Sequence, residues 1–202
     1  SILIGVLAAG VSAVMALILG ICAATLGKKV DSAISFAIDT VMGIPHILLL
    51  ILISYAMGKG LKGVIAGVAL THWTSLARLI RGEVMQLRES EYIQIAGKLG
   101  LGKWEIAKKH IVPHVLPQFI VGLVLLFPHA ILHESSITFL GFGLSTEQPA
   151  IGVILSESMR YLIMGKWWLA VFPGMMLVLT VVLFEKGGTA LRRLLDPGSV
   201  HK

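Results

Sequence analysis

Four apolar stretches, each long enough to cross a hydrocarbon core, dominate this sequence. A transmembrane helix needs about 20 mainly apolar residues. The stretches run from Ile2 to Leu26, Ile38 to Met57, Gly63 to Ile80, and Gln118 to Leu132 with a lead-in from Pro113 to Leu116. A fifth covers Trp167 to Phe184. Inside lipid every backbone N–H and C=O must find a partner within the protein, which restricts spanning segments to helices or closed barrels. None of the five alternates polar and apolar residues as a barrel strand does, so the expected fold is all-α, a polytopic helical membrane protein.

Composition excludes the soluble alternatives. With 56% hydrophobic and 14% charged side chains among 202 residues, the chain has too little polar surface to cover a water-soluble globule. The net charge of +6 does not point to nucleic acid, because the basic residues sit at helix ends rather than on a polar domain. Cys22 is the only cysteine and falls inside the first span, which excludes a disulfide framework and a cysteine metal site.

The same basic residues orient the chain. Lys28 and Lys29 follow the first span; Arg78, Arg81, Arg88, Lys98, Lys103, Lys108 and Lys109 surround the polar segment after the third; Lys186, Arg192, Arg193 and Lys202 follow the last. The intervening connections hold only Lys59 and Lys62, or Arg160 and Lys166. The positive-inside rule places the first group in the cytoplasm, with Ser1 outside and the C-terminus cytoplasmic. An external start without an initiating methionine or basic flank leads to the expectation that one span precedes Ser1.

Between the third and fourth spans the chain leaves the membrane over residues 83–117, far more than a simple helix connection needs. Val84, Leu87 and Ile95 give Glu83 to Ala96 helical apolar spacing, Gly100 and Gly102 break it, and a short helix is expected from Trp104 to Ile111, ended by Pro113. Two short amphipathic helices at a glycine bend form a handle for a partner; the plainer alternative is a solvated loop. Gly97 to Lys103 matches the first seven positions of the phosphate-binding pattern G-x-x-x-x-G-K-[ST]. Trp104 stands where the magnesium-binding hydroxyl belongs, and a charged helix precedes the loop instead of an apolar strand, so nucleotide binding by this chain is not expected.

At this segment the sequence resembles the inner-membrane permeases of ATP-binding-cassette importers, specifically the C-type subunit of the dipeptide, oligopeptide and nickel transporter family. That family's signature is E-A-A, three residues, Gly, nine residues, I-x-L-P. Ala96, Gly100 and Pro113 stand at the matching distances with Glu91 and Tyr92 just upstream; Gln94, Ile95, His110 and Val112 depart from it. The resemblance extends through Asp39 with Ile44-Pro45, Trp73 with Ala77-Arg78 and Arg81-Gly82, the run from Glu134 to Gly143, Trp167-Trp168, Phe172-Pro173-Gly174, and Leu191-Arg192 with Leu195-Asp196-Pro197.

The resemblance implies the type I importer permease fold with six spans in the full subunit, a second permease, two ATPase subunits and an extracytoplasmic solute-binding protein. It implies transport of peptides or nickel, in the cell inner membrane, with no enzyme activity and no cofactor bound by this chain. Glu91, Tyr92, Gln94, Ala96, Gly100, His110 and Pro113 become candidates for coupling to the ATPase: Gly100 for close approach, Tyr92 as an anchor, Glu91 for a basic rim. Residues 134–166 are expected outside, near the substrate entrance, with a short helix from Pro149 to Tyr161.

His129, His133, Glu134, Ser135 and Ser136 are the candidates for the translocation path or outer gate. His129 and His133 are four residues apart on one helical face and, with Glu134 adjacent, could reach a divalent metal. Against this, Pro128 kinks that helix and two ligands are few, so lining a watery path is the other reading. His46 and His72 are expected at interfacial helix ends, His114 in the local turn, and Asp39 as a cap for the helix entered at Thr40. The competing classes are a secondary transporter or channel, which calls for mid-span ionisable groups and internal repeats, and a membrane enzyme, for which Ile137 stands where H-E-x-x-H needs its second histidine.

Overall fold

The computed structural model describes residues 1–195; Asp196, Pro197 and Lys202, which figured in the tail motif and the charge count, lie outside the described residues. Every regular element among the described residues is helical. Four helices are long and apolar enough to cross a membrane, and a bent pair supplies a fifth crossing if its halves act as one span.

Helix α1, Ile2–Thr25, is the first span, and its buried side is a line of small residues: Ala8, Ser12, Ala16, Gly20 and Ala24. A spacing of four keeps them on one face. The second span is not a single helix from Ile38 to Met57. It is α2, Lys28–Gly43, and α3, His46–Ala56, meeting at 99°. Pro45 causes the break, because its ring forces the preceding residue out of the helical region, and Ile44 is extended at φ −90°, ψ 136°. Asp39 therefore lies within α2 and caps nothing; it pairs with Arg78 at 2.5 Å.

Helix α4, Gly60–Arg88, runs past the expected end at Ile80 and keeps burying an apolar face with Val84 and Leu87. It packs chiefly against α1. A Cβ on Gly20 would lie 2.8 Å from the Ala77 carbonyl oxygen, and Ser12 Oγ donates to Ala69 O at 3.2 Å. Small residues let helix backbones approach closely in lipid, where apolar burial supplies no driving force between helices.

The helix expected over Glu83 to Ala96 is two pieces. Its first part is the end of α4, and its second is α5, Glu91–Lys98. Ser90 separates them in extended geometry, its hydroxyl donating to Leu87 O at 2.5 Å in competition with helix continuation. After Gly100 come α6, Lys103–Ile106, a π-helical turn, Ala107–Ile111, and α7, Val112–Phe139, in unbroken succession. Pro113 thus fails to end the helix as expected. It sits in the first turn of α7, where a missing N–H costs little, directly after the change of hydrogen-bond register in the π turn. Pro117 and Pro128 also lie inside α7.

Because α7 continues to Phe139, the residues expected to open the external segment, Glu134 to Phe139, are its last turns. The loop that follows is fastened to the α3–α4 turn: Ser54 Oγ donates to Phe142 O at 3.0 Å, and Gly60 N–H donates to Gly143 O at 3.1 Å. Helix α8, Ile151–Leu162, matches the expected short helix, and α9, Trp168–Leu195, is the last span, running on beyond Phe184. The core has two main parts. Trp73, Ile80, Val84, Leu87, Ile93, Ile111 and Val115 pack at the α5 end, and Ile4, Leu50, Val64, Val68 and Ile137 pack together at the other.

Candidate coupling surface and histidine-lined cavity

Helix α5 is amphipathic, and its two sides have different work. Ile93 and Ala96 are buried, with Ile93 joining Val84, Leu87, Ile111 and Val115 in the core. This holds the short helix against the ends of α4 and α7. Glu91, Tyr92, Gln94 and Ile95 are exposed, and Gln94 Nε2 donates to Glu89 O at 3.1 Å. Tyr92 meets His110 edge to face with ring centroids 6.1 Å apart, so the two helical pieces touch across the bend.

Gly100 turns the chain with φ +93°, a left-handed geometry that a Cβ disfavours. Among the described residues, none beyond its chain neighbours has a heavy atom within 4 Å of where that Cβ would be, so its local requirement is backbone conformation. The bend presents apolar side chains outward: Ile95 is 54% exposed, Leu99 78% and Trp104 82%. Pro113, the last of the seven coupling candidates, is exposed in the first turn of α7. The structure thus brings Tyr92 and His110 together at the surface and puts Ala96 underneath.

The bend at Pro45 opens a second feature. A cavity of about 630 Å³ lies between the end of α2, the start of α3, the middle of α4 and α7, lined by His46, Thr71, His72, Ser75, His129 and His133 among others. His46, at the start of α3 as expected of a helix-end residue, and His72, in the middle of α4 rather than at an end, pack with His133: ring centroids are 4.7 Å apart for His46 and His72, 4.5 Å for His46 and His133, and 4.9 Å for His72 and His133. His72 is buried within α4. The sequence pairing of His133 with His129 missed this cluster, because its members come from three helices far apart in the chain. The one local signal was Pro45, which turns His46 inward.

Of the other path candidates, Glu134 and Ser135 are buried, and Ser136 is half-buried with its hydroxyl donating to Leu132 O at 2.8 Å. Thr138 Oγ1 donates to Glu134 Oε1 at 3.1 Å. Helix α8 closes over this region so tightly that a Cβ on Gly152 would lie 2.6 Å from Ser135 O.

Fold and site together define a multi-pass, all-helical membrane protein with a cavity between its helices and a fixed amphipathic elbow between two spans. A family model described as "Binding-protein-dependent transport system inner membrane component" matches residues 16–200, and the chain belongs to that family. It is 32% identical over 197 residues to the dipeptide transport system permease protein DppC of Bacillus subtilis (strain 168), covering 98% of this chain and 62% of that protein. Identity is also 32%, over 98% of this chain and 64% of the relative, to the oligopeptide transport system permease protein OppC of the same organism. For the probable D,D-dipeptide transport system permease protein DdpC of Escherichia coli (strain K12), it is 29%, over 98% and 66%. The chain thus spans less than two thirds of the length of these relatives.

The fold is shared with solved structures of the MetNI methionine ABC transporter in inward-facing conformations. One aligns with a TM-score of 0.73 at 18% identity, over 96% of this chain and 91% of that one. A second crystal form aligns with a TM-score of 0.75 at 16% identity, over 96% and 92%.

Proposed function

We propose that this chain is the transmembrane part of a permease subunit in an ATP-driven importer and that its cargo is peptides. The observation that carries the reading is the elbow around Gly100: a short helix pinned to the core by Ile93, showing Tyr92, Ile95, Leu99 and Trp104 outward in an otherwise charged segment. An exposed apolar patch on a rigid, polar-rimmed support is a protein docking surface. Peptides are preferred to nickel as cargo because the relatives carry the names of dipeptide, oligopeptide and D,D-dipeptide permeases.

In this reading the chain does no chemistry and holds no nucleotide. Two ATPase subunits bind ATP, and their closure moves α5 as a rigid body with the ends of α4 and α7, opening and closing the path between spans. A second permease completes that path, and an extracytoplasmic binding protein delivers the cargo at the end that carries α8. The basic residues around the elbow and after the last span support a cytoplasmic elbow and C-terminus.

Affinity purification of the full-length permease, co-expressed with its second permease and ATPase subunits, tests the reading. Wild-type protein should retain the ATPase and hydrolyse ATP faster when loaded binding protein is added. Tyr92→Asp and Leu99→Asp should release the ATPase while the permease stays in the membrane. Full retention in both variants would overturn the assignment of this surface.

A further inference from the structure

His46, His72 and His133 together have the geometry of a metal-ion site. One ring nitrogen from each can be chosen so that all three lie within 4.8 Å of one another. In a tetrahedral site with metal–nitrogen bonds of 2.0–2.1 Å, ligand atoms stand about 3.3 Å apart, so the rings would draw together by up to about 1.5 Å around an ion. The three side chains come from the start of α3, the middle of α4 and the C-terminal part of α7.

The surroundings of His72 give independent support. The residue is 8% exposed, and Nδ1 lies 3.0 Å from Val68 O and 3.0 Å from Thr71 Oγ1. A carbonyl only accepts, so Nδ1 carries the proton. Thr71 Oγ1 donates to Gly67 O at 2.9 Å, which leaves its lone pairs facing the imidazole. Nε2 then holds an unshared electron pair, and this buried atom has no hydrogen-bond partner among the described residues. A buried acceptor without a partner costs free energy, whereas a histidine fixed through Nδ1 to a backbone carbonyl with Nε2 unprotonated is the arrangement metal ligation uses.

We propose that these three histidines bind one divalent transition-metal ion of the zinc, nickel or copper type. Three neutral imidazoles without a carboxylate suit these ions and not calcium or magnesium. All three residues line the 630 Å³ cavity, which leaves a fourth coordination position for water or a ligand from that side. The bound ion ties α3, α4 and α7 together at the bend. This site stands whether or not peptides are the cargo.

Cobalt(II) titration of the chelator-treated full-length complex in detergent tests it, because tetrahedral Co(II) absorbs visible light and the readout needs no transport. Wild type should bind one Co(II) per chain with ligand-field bands that added zinc removes. His72→Gln should weaken binding at least tenfold. His46→Gln, at a less buried position, carries the same test where His72→Gln fails to assemble. His114→Gln, which changes an exposed histidine of α7 outside this cavity, should bind as wild type does. Absence of the bands from wild type, or their persistence when all three histidines are replaced, would overturn the site.

Discussion

Arg81 on α4 grips Asp31 on α2 at two points, with Nε 2.5 Å from Oδ1 and Nη2 2.7 Å from Oδ2. Both side chains are about a quarter exposed, at 27% and 24%, so the pair is screened less than a surface bridge and desolvated less than a buried one. Arg88 adds a bond to the carbonyl of Ala24, and Arg78 adds the pair with Asp39. Basic residues that orient the chain by charge therefore also tie the α1–α2 corner to α4. Arg81→Gln should cost about 1–2 kcal/mol and lower the melting temperature of the detergent-purified protein. Asp31→Asn should cost a similar amount, and the double variant little more than either single one. Additive losses would show that the two residues act separately.

Gly100 calls for a different substitution series from a glycine conserving space. Its φ of +93° is the constraint, and none of the described residues crowds it. Gly100→Asn should be the mildest change, since asparagine tolerates the left-handed region, and Gly100→Val the most severe. Under the proposed function, ATP hydrolysis by the assembled complex, stimulated by binding protein, is the measurement. Loss scaling with side-chain volume alone, with Asn worse than Ala, would locate the constraint in a partner's close approach rather than in the backbone.

Gly63 and Gly10 make the opposite comparison. A Cβ at Gly63 would lie 2.5 Å from Ser54 O, whereas one at Gly10 meets nothing within 4 Å among the described residues. Gly63→Ala should push α3 from α4 and strain the Ser54 hydroxyl's bond to Phe142 O, costing about 1–3 kcal/mol. Gly10→Ala should be neutral or stabilising by up to about 1 kcal/mol, since a helical glycine carries an entropic penalty. Thermal unfolding of both variants in one detergent decides it; equal destabilisation would contradict the packing.

The spans and the elbow were legible because each rests on a local pattern: runs of apolar residues, Val84 and Leu87 at helical spacing, glycines where the chain turns. The line of small residues on α1 was also written in the sequence, at Ala8, Ser12, Ala16, Gly20 and Ala24, yet hydropathy alone scores it only as apolar. Pro113 misled because its local effect depends on position within a helix: it follows directly on a π turn and sits in the first turn of α7. Asp39 looked like a cap because Arg78, its partner, is distant in sequence. The histidine cluster was out of reach for the same reason: His46, His72 and His133 meet only once α3, α4 and α7 are packed.

Pro45 links that cluster to the backbone. It holds Ile44 extended and sets the 99° angle by which α3 leaves α2, and the next residue is His46, whose ring centroid lies 4.5 Å from that of His133. Pro45→Ala removes the steric bar against helix at Ile44 and frees the unfolded chain by about 0.4–1 kcal/mol. The bend should then relax toward a straighter helix and carry position 46 away from α7. Cross-linking measures this directly in a Cys22→Ser background carrying His46→Cys and His133→Cys, with a short thiol-reactive reagent. With Pro45 in place the two positions should cross-link readily; with Pro45→Ala the yield should fall severalfold. An unchanged yield would mean that packing against α4, and not the proline, fixes the position of residue 46.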